Sequence, residues 1–170
     1  MTRFEQMEYL LNETKYFKLV CGAGNEDAEE VKRLTVLYTL AGAKGMDVSA
    51  NIDVVKACME GIDIAFERAK EFGVNLVIRP FIMVSVGMPG DHHVRKSVIN
   101  LDTCLKCDLC IPVCPTDAIP SSLVVIKDKC IGCGNCSAIC PRTDIIHYEH
   151  NDRELRQLLP KCLEAGAEQI

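Results

Sequence analysis

Between Cys104 and Cys140 the chain repeats one pattern: Cys104-x2-Cys107-x2-Cys110-x3-Cys114-Pro115, then Cys130-x2-Cys133-x2-Cys136-x3-Cys140-Pro141. Eight of the eleven cysteines lie in these 37 residues. The copies superimpose at an offset of 26, and the match extends past the thiols to Asp102 on Asp128, Leu105 on Ile131 and Ile119 on Ile145. A self-similar segment of this kind is one structural unit built twice. It holds too few large apolar residues to fold around a conventional core, so its thiols must organise it.

A cubane iron–sulfur core needs four thiolates, three of them from one tight loop. Two successive C-x2-C steps wrap the backbone round three corners and turn its amides inward, toward the sulfurs. The run is that of bacterial two-cluster ferredoxins, in which the fourth cysteine serves the neighbouring cube. That resemblance implies two [4Fe-4S] clusters with crossed ligand sets: Cys104, Cys107, Cys110 and Cys140 for cluster I, and Cys130, Cys133, Cys136 and Cys114 for cluster II. Pro115 and Pro141 redirect the chain after each fourth cysteine.

Two plainer readings fit worse. Structural zinc uses two short-spaced pairs parted by an intervening segment, whereas each run packs four cysteines into eleven residues. A disulfide framework is disfavoured by the odd total and by the opening MTRFEQMEYLLNETKYF, which has no uninterrupted apolar signal-peptide core. The thiols are therefore expected reduced, in a cytoplasm. No apolar stretch reaches the roughly 18 residues of a transmembrane helix. The formal charge is −5, and two oxidised cubes with their thiolates take it to about −9. This argues against nucleic acid, which asks for a basic face, and favours a redox partner protein that docks through a basic patch.

Around the repeat runs an α/β pattern. Residues 2–15 read as an amphipathic helix with Phe4, Met7, Leu10 and Leu11 on one face. Phe17–Cys21 is a short apolar strand, and Asn25 with Glu29 and Glu30 opens a helix carrying Val31, Leu34, Leu37, Tyr38 and Ala41. Met46–Ser49 is a second strand, Asn51 caps a helix through Phe72, and Phe81–Val86 is the third strand, since Pro80 is excluded from a central strand. Strands alternating with helices at this spacing mean right-handed β-α-β units and a parallel sheet. Short strands are expected before each cysteine loop, at Val98–Leu101 and Val124–Lys127. After the repeat, Asp152–Ala165 is helical and Gly166–Ile170 begins another strand, expected parallel and adjacent to Phe81–Val86.

The expected fold class is thus α/β: a parallel β-α sheet, partial TIM-barrel-like, with an inserted two-[4Fe-4S] ferredoxin domain of α+β type. Its parts are an N-terminal platform at 1–97, the ferredoxin domain at 98–150, and a C-terminal helix and strand start at 151–170. A strand cut short after a few residues suggests a fragment or a shortened homologue of a larger barrel.

The stretches FKLVCGAGNEDAEEVKRLTVLYTLAGAKGMDVSAN at 17–51 and FIMVSVG at 81–87, followed by the double cysteine run, resemble the light-dependent-period (LdpA-like) iron–sulfur proteins. The resemblance implies a redox-active cluster protein of a family that feeds redox information to the circadian clock in photosynthetic bacteria. Members of that family are longer.

Other residues carry less. Gly22-Ala-Gly24 is half of a dinucleotide fingerprint, with Asp27 where the third glycine would stand, and a plain tight turn is the default. Cys21, Asp47, Ser49, Asn51 and Ser85 fall at the C-terminal ends of the strands, where parallel folds gather sites. Cys58 and Cys162 read as core thiols, and His92 and His93 as solvated loop residues.

Three functions follow. The first is an electron carrier or subunit, relaying single electrons through two clusters to partner redox proteins, with no catalytic residue of its own. The second is a redox-sensing regulatory protein, as the resemblance implies. The third is the electron-input part of an α/β-barrel oxidoreductase in a larger complex.

Overall fold

The N-terminal helix α1 (Arg3–Asn12) starts where Thr2 and Glu5 exchange side-chain and backbone hydrogen bonds in a capping box. The computed structural model describes residues 1–22, 24–86, 95–150 and 155–170, with backbone only at 150, 155 and 156. The expected apolar stripe does not dock this helix: Leu10 is buried, but Phe4 and Leu11 are 78% and 56% exposed. Arg3 takes over that role. Its guanidinium donates to the Arg79 and Pro80 carbonyls, pairs with Glu168 at 2.6 Å and stacks over the Phe81 ring. A fork of five donors anchors a helix that its apolar residues leave loose.

The chain divides into two units. The first comprises residues 1–22, 27–86 and 154–170. Strands β1 (Lys18–Val20), β2 (Gly45–Ser49) and β3 (Phe81–Ser85) form a parallel sheet in that order. Between them lie α2 (Ala28–Leu40) and α3 (Ile52–Arg68), the latter continued by a 3-10 turn, Ala69–Phe72. Alternation along the strands puts Met46, Val48, Ile82 and Val84 into the core with Val54, Val55, Cys58 and Ile62 of α3. After α5 (Leu155–Glu164), Gln169 makes a parallel bridge to Met83, and the Val84 amide donates to the Gln169 carbonyl at 2.9 Å. The last residues therefore lie beside β3 and parallel to it, as expected.

The unit departs from expectation on α2. Asp27, not Asn25, is its cap, accepting from the Glu30 amide at 3.1 Å. Leu37 is 61% exposed, while Thr35 and Thr39 are buried. The reason is close approach: a Cβ at Gly61 of α3 would lie 2.8 Å from the Lys32 carbonyl oxygen and 2.9 Å from the Thr35 Cβ. Only small side chains fit that seam. Gly61→Ala should therefore lower the urea unfolding midpoint, costing about 1–3 kcal/mol for the forced shift between helices. An unchanged midpoint would mean that the seam relaxes freely.

The second unit comprises residues 23–26 and 87–153. Its sheet pairs β4 (Arg95–Ile99) antiparallel with β5 (Ile146–His150). A boundary at 97–98 would cut β4 in two, and the observed division falls at 86–87. The expected strand Val124–Lys127 does not form. Leu123 sits at φ +60° and closes a turn onto Pro120, and the segment makes one backbone bond to Ala118, from Ile126 at 2.8 Å. Strand β5 is the partner instead. A short helix, α4 (Asn135–Ile139), starts inside the second cysteine run. Gly90, His92, His93 and Asn151, to which expectations attached, lie outside the described residues.

Candidate functional site

Each C-x2-C-x2-C loop must turn tightly enough to bring three thiols to one side, and left-handed residues do this. Lys106 and Asp108 in the first run have φ of 51° and 59°. At the same places in the second run, 26 residues on, stand Gly132 and Gly134 with φ of 68° and 90°. The conformation repeats although the residues differ: the second copy uses glycine, for which it is free, and the first makes Lys and Asp adopt it.

The loops enclose two hollows. One is lined by Cys104, Cys107 and Cys110 of the first run with Cys140 of the second, backed by Ile99, Leu123, Ile145 and Ile146. The other is lined by Cys130, Cys133 and Cys136 of the second run with Cys114 of the first, backed by Ser97, Ile119 and Tyr148. Their atom-free spaces, about 370 and 320 Å³ and open to solvent, are comparable. All eight candidate cysteines are brought together in these two groups, each with three from one run and the fourth from the other. Among the described residues no three His, Cys, Asp or Glu side chains converge on a point for a single metal ion. The thiols ring a volume, and an all-thiol ring suits a multi-metal sulfur cluster. Cys107 and Cys133, the second cysteine of each run, are exposed, while Cys130 and Cys136 are buried.

The second loop is gripped by three consecutive residues of β4. The Arg95 Nε donates to the Gly132 carbonyl at 3.0 Å, and its guanidinium lies over the Tyr148 ring. The Lys96 ammonium donates to the Cys130 carbonyl at 2.7 Å and the Gly24 carbonyl at 2.8 Å, and pairs with Glu26 at 3.1 Å, both side chains being almost wholly buried. Ser97 places its amide and its hydroxyl each 3.4 Å from the Cys130 sulfur. The sulfurs of Cys114 and Cys104 accept from the Ala118 and Lys106 amides at 3.3 and 3.4 Å. Burial pushes the Cys110 and Cys136 thiols up. Burial also raises Cys130, but the Ser97 hydroxyl and amide, the Gly132 amide and the Lys96 charge outweigh it and bring that thiol below its ordinary value. Nothing local to the cysteine runs announces Lys96 or Ser97. The available signal is the repeat itself, because Ser97 falls on Leu123 at the offset of 26, where the copies differ in chemistry.

The candidates that lie in the first unit are held there by their neighbours. Asp47 is held by the Lys18 ammonium at 2.9 Å and by the Ser85 hydroxyl, across three neighbouring strands. Asn51 caps α3, accepting from the Asp53 amide at 2.9 Å. Burial pushes the thiols of Cys21 and Cys58 up to about 12 and about 11, so neither is a reactive thiolate. Cys162 is fully buried in the same core. The Gly24 carbonyl of the half fingerprint is taken by Lys96. No helix among the described residues is long and apolar enough to cross a membrane.

Comparison with known proteins points the same way. Residues 103–151 match the family model of the LdpA Fe-S cluster-binding domain. Over 109 residues the chain is 37% identical to Light dependent period A of Synechococcus elongatus, an alignment covering 63% of this chain and 29% of that protein. The chain thus spans less than a third of its relative's length. No solved structure matches.

Proposed function

We propose that this chain, an LdpA-like iron–sulfur protein, holds two [4Fe-4S] clusters and passes single electrons between partner proteins. The observation that carries the reading is the pair of hollows, each lined by three thiols of one run and one of the other. On that reading cluster I takes Cys104, Cys107, Cys110 and Cys140, and cluster II takes Cys130, Cys133, Cys136 and Cys114. When bound, such clusters supply one-electron redox couples at potentials set by charge, hydrogen bonds to sulfur and exposure.

The chain's own residues do the rest. The left-handed loops aim the thiols inward, and the Lys106, Ala118 and Ser97 amides orient and stabilise individual sulfurs. Exposed Cys107 and Cys133 leave each hollow a face through which a partner can approach. The net acidity of the chain favours a partner with a basic docking patch.

A second reading, redox-sensing regulation, is favoured by the similarity to Light dependent period A. The same exposed thiols that shorten the path to a partner also admit oxidants. Reversible, air-stable clusters support the relay, whereas loss of a cluster in air with a change in partner binding supports sensing.

An iron and acid-labile sulfide count tests the common premise. About eight of each per chain are expected, because both runs are complete. Stoichiometric zinc without sulfide would overturn it.

A further inference from the structure

We propose that the two cluster sites are electrochemically unequal, and that Ser97 is the residue that makes the Cys130 site the more positive of the two. The inference rests on the two-cluster reading and goes beyond it. Both sites share the loop geometry and thiol set, so a difference in potential must come from what surrounds the sulfurs.

The surroundings differ. At the second site the Ser97 side chain is 2% exposed and its hydroxyl lies 3.4 Å from the Cys130 sulfur, beside the amide of the same residue at the same distance. A ligating thiolate has no proton, so the hydroxyl must be the donor. The Ala118 amide and the Thr116 hydroxyl approach the fourth thiol of that site, Cys114, at 3.3 and 3.8 Å. At the first site the position equivalent to Ser97 is Leu123, equally buried and facing the thiols with methyl groups. The position equivalent to Thr116 is Arg142, whose guanidinium is paired with Asp144 at 2.6 Å. The Lys106 amide donates to the Cys104 sulfur at 3.4 Å, as the amide of Gly132, its equivalent in the repeat, does to Cys130, so this contact is common to both sites.

Hydrogen bonds to sulfur stabilise the electron-rich, reduced cluster more than the oxidised one, because reduction places more negative charge on the thiolates. The site with the extra hydroxyl donors therefore has the higher potential. Electrons entering at the Cys104 site run downhill to the Cys130 site, and the internal asymmetry of the repeat gives the relay a direction.

Redox-titrated electron paramagnetic resonance on the holo protein tests this. The wild-type chain should show two resolved couples. Ser97→Ala keeps the amide and removes the hydroxyl. It should disfavour reduction of the more positive couple roughly tenfold, about 59 mV for one electron, and leave the other unmoved. Ser97→Thr, which keeps a hydroxyl, should restore the wild-type separation. Wild-type couples that coincide would overturn the proposal without any variant, and so would a Ser97→Ala protein whose couples stay put or move together. Iron and sulfide are counted on the same samples. Full counts with unshifted couples refute the role of Ser97 alone, while counts short of two clusters in the wild-type chain refute the reading beneath it as well.

Discussion

Cys114→Ala should abolish the cluster bound mainly by the second cysteine run and spare the one bound mainly by the first, with Cys140→Ala doing the reverse. Cys114 lies 16 residues before the nearest cysteine of the hollow it lines, and Cys140 lies 30 residues after the nearest of its own. The fold makes this exchange: the Cys114 sulfur is held toward the second-run loop by the Ala118 amide, and β4 grips that loop from behind. Each variant should retain roughly half of the eight irons. The unit should also lose stability on that side, since the cluster-lining cysteines are part of its core, packed with Ile99, Ile119, Leu123, Val125, Ile145 and Ile146. Iron analysis with the spectrum of the surviving cluster decides it. If Cys114→Ala harmed the first-run cluster and Cys140→Ala the second-run cluster, crossed ligation would be wrong.

How much of this was legible in the sequence depended on whether a feature is local. The thiol groups could be read because their spacing is a short-range constraint written twice. The parallel strands and the return of Gln169 to β3 followed from period and connection rules. The docking of α1 could not be read, because an arginine fork reaching carbonyls 76 and 77 residues away leaves no periodic trace. The buried face of α2 is set from outside it: Gly61 of α3 admits Thr35 at the seam, and a single glycine on another helix is invisible to α2's own pattern. Strand Val124–Lys127 failed for a related reason. Its β-branched run, Val124, Val125 and Ile126, looks strand-like, but the left-handed turn at Leu123 and the antiparallel pairing of β5 with β4 take precedence. Lys96 and Ser97 are the most consequential omission. They stand 34 and 33 residues from Cys130, so only the folded strand brings them to it.

That placement makes Lys96 the residue outside the thiols whose loss should cost most. Its ammonium is 6% exposed and its three donors are spent on the Glu26 carboxylate and the carbonyls of Gly24 and Cys130. Burial pushes the charge toward neutrality, against the opposing pull of Cys130 and Asp128. Lys96→Met fills the same volume but removes the cation that pairs with the Glu26 carboxylate, which is 5% exposed. Breaking a buried pair from one side costs about 3–5 kcal/mol, because the remaining charge is still desolvated. The holo protein should therefore unfold at a clearly lower urea concentration, with the cluster absorbance lost in the same transition. The double variant Glu26→Gln/Lys96→Met separates charge from packing, since with the buried carboxylate also removed, much of the loss should return. Equal destabilisation in the single and double variants would mean that the two carbonyl bonds, rather than the ion pair, hold the second cysteine loop in place.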